Sequence, residues 1–109
     1  MADRQVPTPD QIERLVVEAL REVYDPEIPV NIYELGLIYG VTVEPSGAVT
    51  VQMTLTAAAC PAAQSLPVEV EERVRSIPGV KSVKVDLTFD PPWDMSRMSE
   101  AAKLELGML

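Results

Sequence analysis

Apolar residues recur at helical spacing near the start of the chain. Ile12, Leu15, Val16, Ala19, Leu20 and Val23 share one face, while Arg14, Glu18, Arg21 and Glu22 lie off it. That is the pattern of an amphipathic helix. Thr8-Pro9-Asp10-Gln11 starts the helix: a hydroxyl to cap, a proline at the first helical position, and a glutamine placed to close a capping box. Asp25-Pro26 is expected to end it, because the residue before a proline is pushed out of the helical region. Residues 25–36 then read as a proline-stiffened loop too apolar to be left in solvent, with Ile32 and Leu35 anchoring it as one short helical turn.

The period then changes to two. Leu37–Val43 is rich in β-formers and Val49–Thr56 alternates, so both are predicted strands. Pro45-Ser46-Gly47 makes the hairpin turn between them. Val49, Val51, Met53 and Leu55 share one face, and Thr50, Gln52, Thr54 and Thr56 share the other, which predicts a sheet solvated on one side. A second long helix is predicted from near Cys60-Pro61, burying Leu66, Val70, Val74 and Ile77. Pro67 should kink it or disturb its first turn, and Pro78-Gly79 ends it. Val80, Val83, Val85, Leu87 and Phe89 form a third strand. The strand–helix–strand step predicts a parallel pair with a right-handed crossover. A terminal helix follows Pro91-Pro92-Trp93, from about Ser96 to Leu106, with Ser96 or Ser99 as cap. The sum is one small α/β (α+β) domain at 9–109 behind an N-terminal tail at 1–8. Its predicted order is α-β-β-α-β-α, with a three-stranded mixed sheet and the helices packed on one face.

Composition bounds what such a domain does. With 109 residues, 47% of them hydrophobic, one core of ordinary domain size is available. The formal net charge is -8, from nine bases and 17 acids. Phosphate-binding surfaces need clustered bases, and here the bases are scattered, so nucleic acid and anionic membranes are discounted as partners. No apolar run approaches the roughly 18 residues of a membrane helix, and the first residues carry no signal-peptide apolar region. A single thiol in such a chain fits a reducing cytoplasm. There is no histidine and only one cysteine. That excludes imidazole bases, Ser-His-Asp and Cys-His pairs, and a four-cysteine metal site within one chain.

Four features can carry chemistry. Cys60 follows three alanines and precedes Pro61. If Pro61 is the first helical residue, unpaired backbone N–H groups and the positive helix end favour the thiolate, which binds soft metals or attacks disulfides. The competing reading is a small hydrophobe in the core. Asp25, Glu27 and Glu34 offer hard oxygen ligands, or else act as local turn makers and caps. Thr54 and Thr56 can hydrogen-bond a sulfur near Cys60, or are β-branched residues on an exposed face. Trp93 is a plug over the core or a partner contact.

Ordered motifs add a resemblance. Asp25-Pro26-Glu27-Ile28-Pro29, Glu34-Leu35-Gly36-Leu37-Ile38-Tyr39, Met53-Thr54-Leu55-Thr56, Cys60-Pro61, Ile77-Pro78-Gly79-Val80 and Pro91-Pro92-Trp93 occur in that order. Over about residues 12–107 the chain resembles the small iron–sulfur cluster assembly family that includes SufT and PaaD-like proteins. The ending Met98–Gly107 is most similar to the SufT branch, and the cysteine-bearing tail usual in PaaD proteins is not in this sequence. The resemblance implies a compact α/β domain that helps mature or deliver clusters in the SUF system. Cys60 is then the metal or cluster ligand, with Asp25 and Glu27 at the family's acidic positions. Glu34 stands where an aspartate is usual, and Ala59 where glycine is frequent before the cysteine.

The leading expectation is a cytoplasmic, non-enzymatic accessory factor. It would hold a labile iron–sulfur cluster or iron on Cys60. With one cysteine, the other ligands come from a second copy in a homodimer, a partner, small thiols, or Asp25 and Glu27. Its partners would be assembly scaffolds or target proteins. A metal-free adaptor, docking through Trp93 and the apolar loop, is the alternative. A redox-sensing thiol protein is a further one.

Overall fold

The computed structural model describes residues 7–25, 28–55 and 65–107. The first helix, α1 (Pro9–Leu20), begins as the sequence predicts. Thr8 Oγ1 accepts from Gln11 N at 3.2 Å and Gln11 Oε1 accepts from Thr8 N at 2.9 Å, a complete capping box. Its end comes earlier than Asp25-Pro26. After Leu20 the bonds tighten to three-residue turns, Glu22 N to Ala19 O and Val23 N to Leu20 O. Val23 O then accepts from Ile32 N, and Tyr24 bridges Asn31 as isolated antiparallel partners. Pairing with a later segment, not the proline, stops the helix.

The short helix α2 (Ile32–Leu35) is the anchored turn expected of the apolar loop. Asn31 caps it through Glu34 N, and Ile32 and Leu35 are fully buried. Gly36 closes α2 at φ +84°, a conformation that favours glycine. A Cβ there would stand 2.2 Å from the Arg97 carbonyl oxygen, so the C-terminal segment crosses where no side chain fits.

Strands β1 (Ile38–Val43) and β2 (Ala48–Met53) form an antiparallel hairpin. Val41 pairs with Val51 and Val43 with Val49, but the register shifts between Ile38 and Gly40. The extra residue is Tyr39, and the bulge returns Ile38 to the face shared by its partner Met53. Helix α3 (Ser65–Arg75) leads to β3 (Ser82–Leu87), which pairs in parallel with β2 from Ala48↔Ser82 to Met53↔Leu87. The sheet order is β1-β2-β3. Pro67 lies in the first described turn of α3. The predicted start near Cys60-Pro61 lies outside the described residues.

Helix α1 lies against β1 and α3, and α3 lies against β3. Between helices and sheet sit Val16, Leu20, Val51, Met53, Val70 and Val74, all with 0% exposure. On the other face Thr42, Gln52, Ser82 and Lys84 are exposed, as the alternation predicts. The fold is therefore a small α+β domain with a three-stranded mixed sheet and helices on one face.

The predicted terminal helix is divided. Met95–Arg97 is one 3-10 turn capped by Asp94, Met98 is extended, and α4 (Glu100–Glu105) begins anew from Ser99. The break arises because Ser99 N donates to Glu34 O at 2.9 Å while Met98 is buried. A continuous helix could not satisfy both.

Candidate functional site

The candidate site lies at the carboxyl end of β2, where the chain departs toward α3. Leu55 is the last described residue before the segment carrying Cys60. Loops at the carboxyl ends of strands are common ligand positions in α/β folds. A ladder of backbone bonds ties this exit to the first loop. Thr54 N donates to Leu37 O at 2.8 Å, Leu37 N to Ile32 O at 3.1 Å, and Ile32 N to Val23 O at 2.8 Å. Val23 stands two residues before Asp25. The exit of β2 and the acidic loop are thus joined through the buried residues of α2.

Thr54 departs from its expected place. By alternation it belongs to the solvated face, yet its exposure is 0% and Oγ1 has no hydrogen-bond partner among the described residues. The strand has ended at Met53, and Met53, Thr54 and Leu55 are buried in succession. Asp25 is 7% exposed and its Oδ1 accepts from Ile28 N at 3.2 Å. The carboxylate therefore closes the start of the acidic loop and is held close to the core. Cys60, Thr56 and Glu27 lie outside the described residues.

Glu34 and Trp93 are brought together at a different task. Glu34 pairs with Arg21 at 3.4 Å and accepts from the Ser99 hydroxyl. That hydroxyl also accepts from Ala102 N at 3.1 Å as the cap of α4. Arg21 lies 5.1 Å from the Tyr33 ring centroid. Half-buried Trp93 donates Nε1–H to Leu35 O at 2.7 Å. The two residues clasp the C-terminal segment to α2. Two contacts that sequence reasoning missed complete the clasp: Tyr39 donates its hydroxyl to Pro91 O at 2.8 Å, and Arg97 stacks 4.6 Å above the Tyr39 ring. The bulge at Tyr39 aims that ring, and alternation alone cannot reveal a bulge.

Comparison with known proteins bears on what this arrangement serves. A family profile described as "Iron-sulfur cluster assembly protein" matches residues 13–87. The chain belongs to the iron–sulfur cluster assembly protein family. Within the family, a Porphyromonas gingivalis protein named "Fe-S protein maturation auxiliary factor" is 59% identical over 99 residues, covering 91% of this chain and 94% of that protein. An "Iron-sulfur cluster carrier protein" of Mycobacterium leprae is 36% identical over 76 residues, which are 70% of this chain but 20% of the carrier. Among solved structures, a Bacillus anthracis domain of unknown function superposes with a TM-score of 0.85 at 33% identity, each chain fully covered. The expected SufT-like family and its α+β fold are therefore both found.

This family member's described residues contain no group of three or more Cys, Asp, Glu or His able to hold a metal ion. Among them no helix is long and apolar enough to cross a membrane. What they do contain is a buried acceptor, Asp25, and a buried donor, Thr54 Oγ1, on two segments tied to each other. A hydroxyl of this kind can donate to a thiolate or sulfide sulfur, which a methyl group cannot do.

Proposed function

We propose that this protein is a non-catalytic accessory factor in iron–sulfur cluster assembly or delivery, acting in the cytoplasm on scaffold or target proteins. Its cargo is a labile cluster or iron held by the Cys60 thiolate. One cysteine and no histidine leave any four-thiolate site incomplete, so the remaining ligands come from outside the chain or from carboxylates such as Asp25 and Glu27. Incomplete ligation favours release to a client, which is what delivery requires.

The observation that carries this reading is Thr54: fully buried at the exit of β2, six residues before Cys60, with its hydroxyl unpartnered among the described residues. Buried hydroxyls are ordinarily hydrogen-bonded, and a sulfur ligand on the Cys60 segment is a partner that the hydroxyl would gain on loading. Anaerobic reconstitution with iron and sulfide tests it. Wild-type protein is expected to take up iron and develop visible sulfur-to-iron absorbance, and Cys60→Ala to lose both. Equal bound iron and absorbance in the alanine variant would remove Cys60 from the site.

A further inference from the structure

Strand β3 is the outer strand of the sheet beyond β2, and among the described elements it packs chiefly on β2 and α3. The opposite edge, β1, is interrupted by the Tyr39 bulge, whereas β3 keeps regular register with β2 over all six residues. Thr88 N donates inward to Met53 O. Strand alternation therefore turns the N–H and C=O of Val83, Val85 and Leu87 outward. A straight edge of this kind is a template for another strand. Lysine on an edge ordinarily discourages such pairing, but here Lys84 is already balanced by Asp86 on the same face, 3.6 Å away and both solvent-accessible, an exposed pair that can exchange partners at little cost.

We propose that β3 pairs antiparallel with β3 of a second copy of this chain, about a two-fold axis through Val85, forming a continuous six-stranded sheet. In that register Val85 meets its own counterpart in a hydrogen-bonded pair. Lys84 falls opposite Asp86 of the second copy, and Asp86 opposite its Lys84. These are the non-hydrogen-bonded positions, where side chains approach more closely. On the helix-covered face Val83 meets Leu87, which is 43% exposed in one chain. The strand reads the same charge pattern from both sides, which a two-fold interface requires.

Helix α3 supplies a second, independent match. Its flank toward α1 is marked by Arg73, which binds Glu22 at 3.2 Å. The flank on the other side of the helix carries Glu71 and Arg75 as a solvent-accessible ion pair, and in the proposed dimer it is the flank nearer the second copy. The same axis sets that flank against itself with opposite charges available for exchange.

The pairing has a consequence for the cargo. The exits of β2 in the two copies would lie six residues apart along the strands and three strands apart across the sheet, roughly 20–25 Å at ordinary sheet spacings. The contacts of this dimer are made by β3 and α3 alone, so it forms without metal and without Cys60.

Sedimentation equilibrium of metal-free, reduced protein, from micromolar to near-millimolar concentration, tests the proposal. Wild type and Cys60→Ala are both expected to rise from the 11.9 kDa monomer toward twice that mass with the same dissociation constant. Lys84→Glu sets two acidic pairs face to face and should weaken association at least tenfold. Lys84→Glu combined with Asp86→Lys restores opposite charges and should recover most of it, with circular dichroism confirming that each variant is folded. Wild-type protein that stays monomeric throughout, or dimerises equally well as Lys84→Glu, overturns the proposal. So does a dimer that appears only with iron and sulfide and vanishes in Cys60→Ala, a result that would leave the cargo reading intact.

Discussion

Among the described residues the buried Thr54 hydroxyl has no hydrogen bond, and a hydroxyl left so costs about 1–3 kcal/mol of desolvation. Thr54→Val removes the hydroxyl and keeps the shape. Thermal unfolding of the metal-free valine variant should show a gain of about 1 kcal/mol or more, roughly 4–8 °C in midpoint for a domain of this size. The same variant should lose bound iron faster than wild type after reconstitution. A fall in the midpoint would show that the hydroxyl already has a partner. Asp94 is a second single-residue case. Its carboxylate accepts from the Ser96 hydroxyl and from Ser96 N at 2.8 Å, with Arg97 nearby, and these hold its pKa below the ordinary aspartate range. A depressed folded pKa gives a contribution that is complete above the unfolded value, about 3.9, and lost as pH falls through the folded one. The Ser96 amide resonance should therefore titrate with a midpoint below 3.9, and Asp94→Asn should abolish that step.

At the scale of elements, the clasp on α2 is the feature with the largest local leverage. The 3-10 turn crosses so close to Gly36 that an added Cβ meets the Arg97 carbonyl at 2.2 Å, and the backbone there is left-handed. Gly36→Ala combines conformational strain of about 1 kcal/mol with overpacking of about 1–3 kcal/mol. Urea unfolding should show a loss of about 2–4 kcal/mol; a loss under about 0.5 kcal/mol would mean that the C-terminal segment yields easily. The clasp also explains why the terminal helix is broken. Local capping rules identify Ser99 as a start, but only Glu34, 65 residues away, selects it over Ser96. Asn31 was legible in principle, since an asparagine three residues before a glutamate is a capping signature.

At the scale of the molecule, one core joins both ends of the chain. Val16 and Leu20 of α1, Val51 and Met53 of β2, and Ala102 of α4 belong to the same buried cluster, with Trp93 packed against it. Trp93 is the only tryptophan, so its fluorescence reports the C-terminal clasp while far-UV circular dichroism reports the whole. Both should trace the same urea transition, as a single cooperative unit requires. Tryptophan emission that changes at lower urea would make the clasp a separate, weaker unit.

The sequence by itself determined whatever depends on neighbours a few residues apart. The Thr8 capping box, the buried stripe of α1, the alternation of β2, the hairpin turn and the anchoring of Ile32 and Leu35 all follow from helical or strand period and local caps. The count of one cysteine and no histidine likewise bounds the ligand chemistry before any fold is known. Tertiary structure decided where those local patterns are overruled. Alternation put Thr54 in solvent, but the Leu37 carbonyl captures its N–H and the residue is buried. Glu34 read as a candidate loop carboxylate, but Arg21 and Ser99 occupy it. Trp93 read as a plug or a contact, and Leu35 O holds its indole N–H from 58 positions away. Such partners are brought near only by the closing of the chain, when each buried polar group needs a partner and the fold decides which one is within reach.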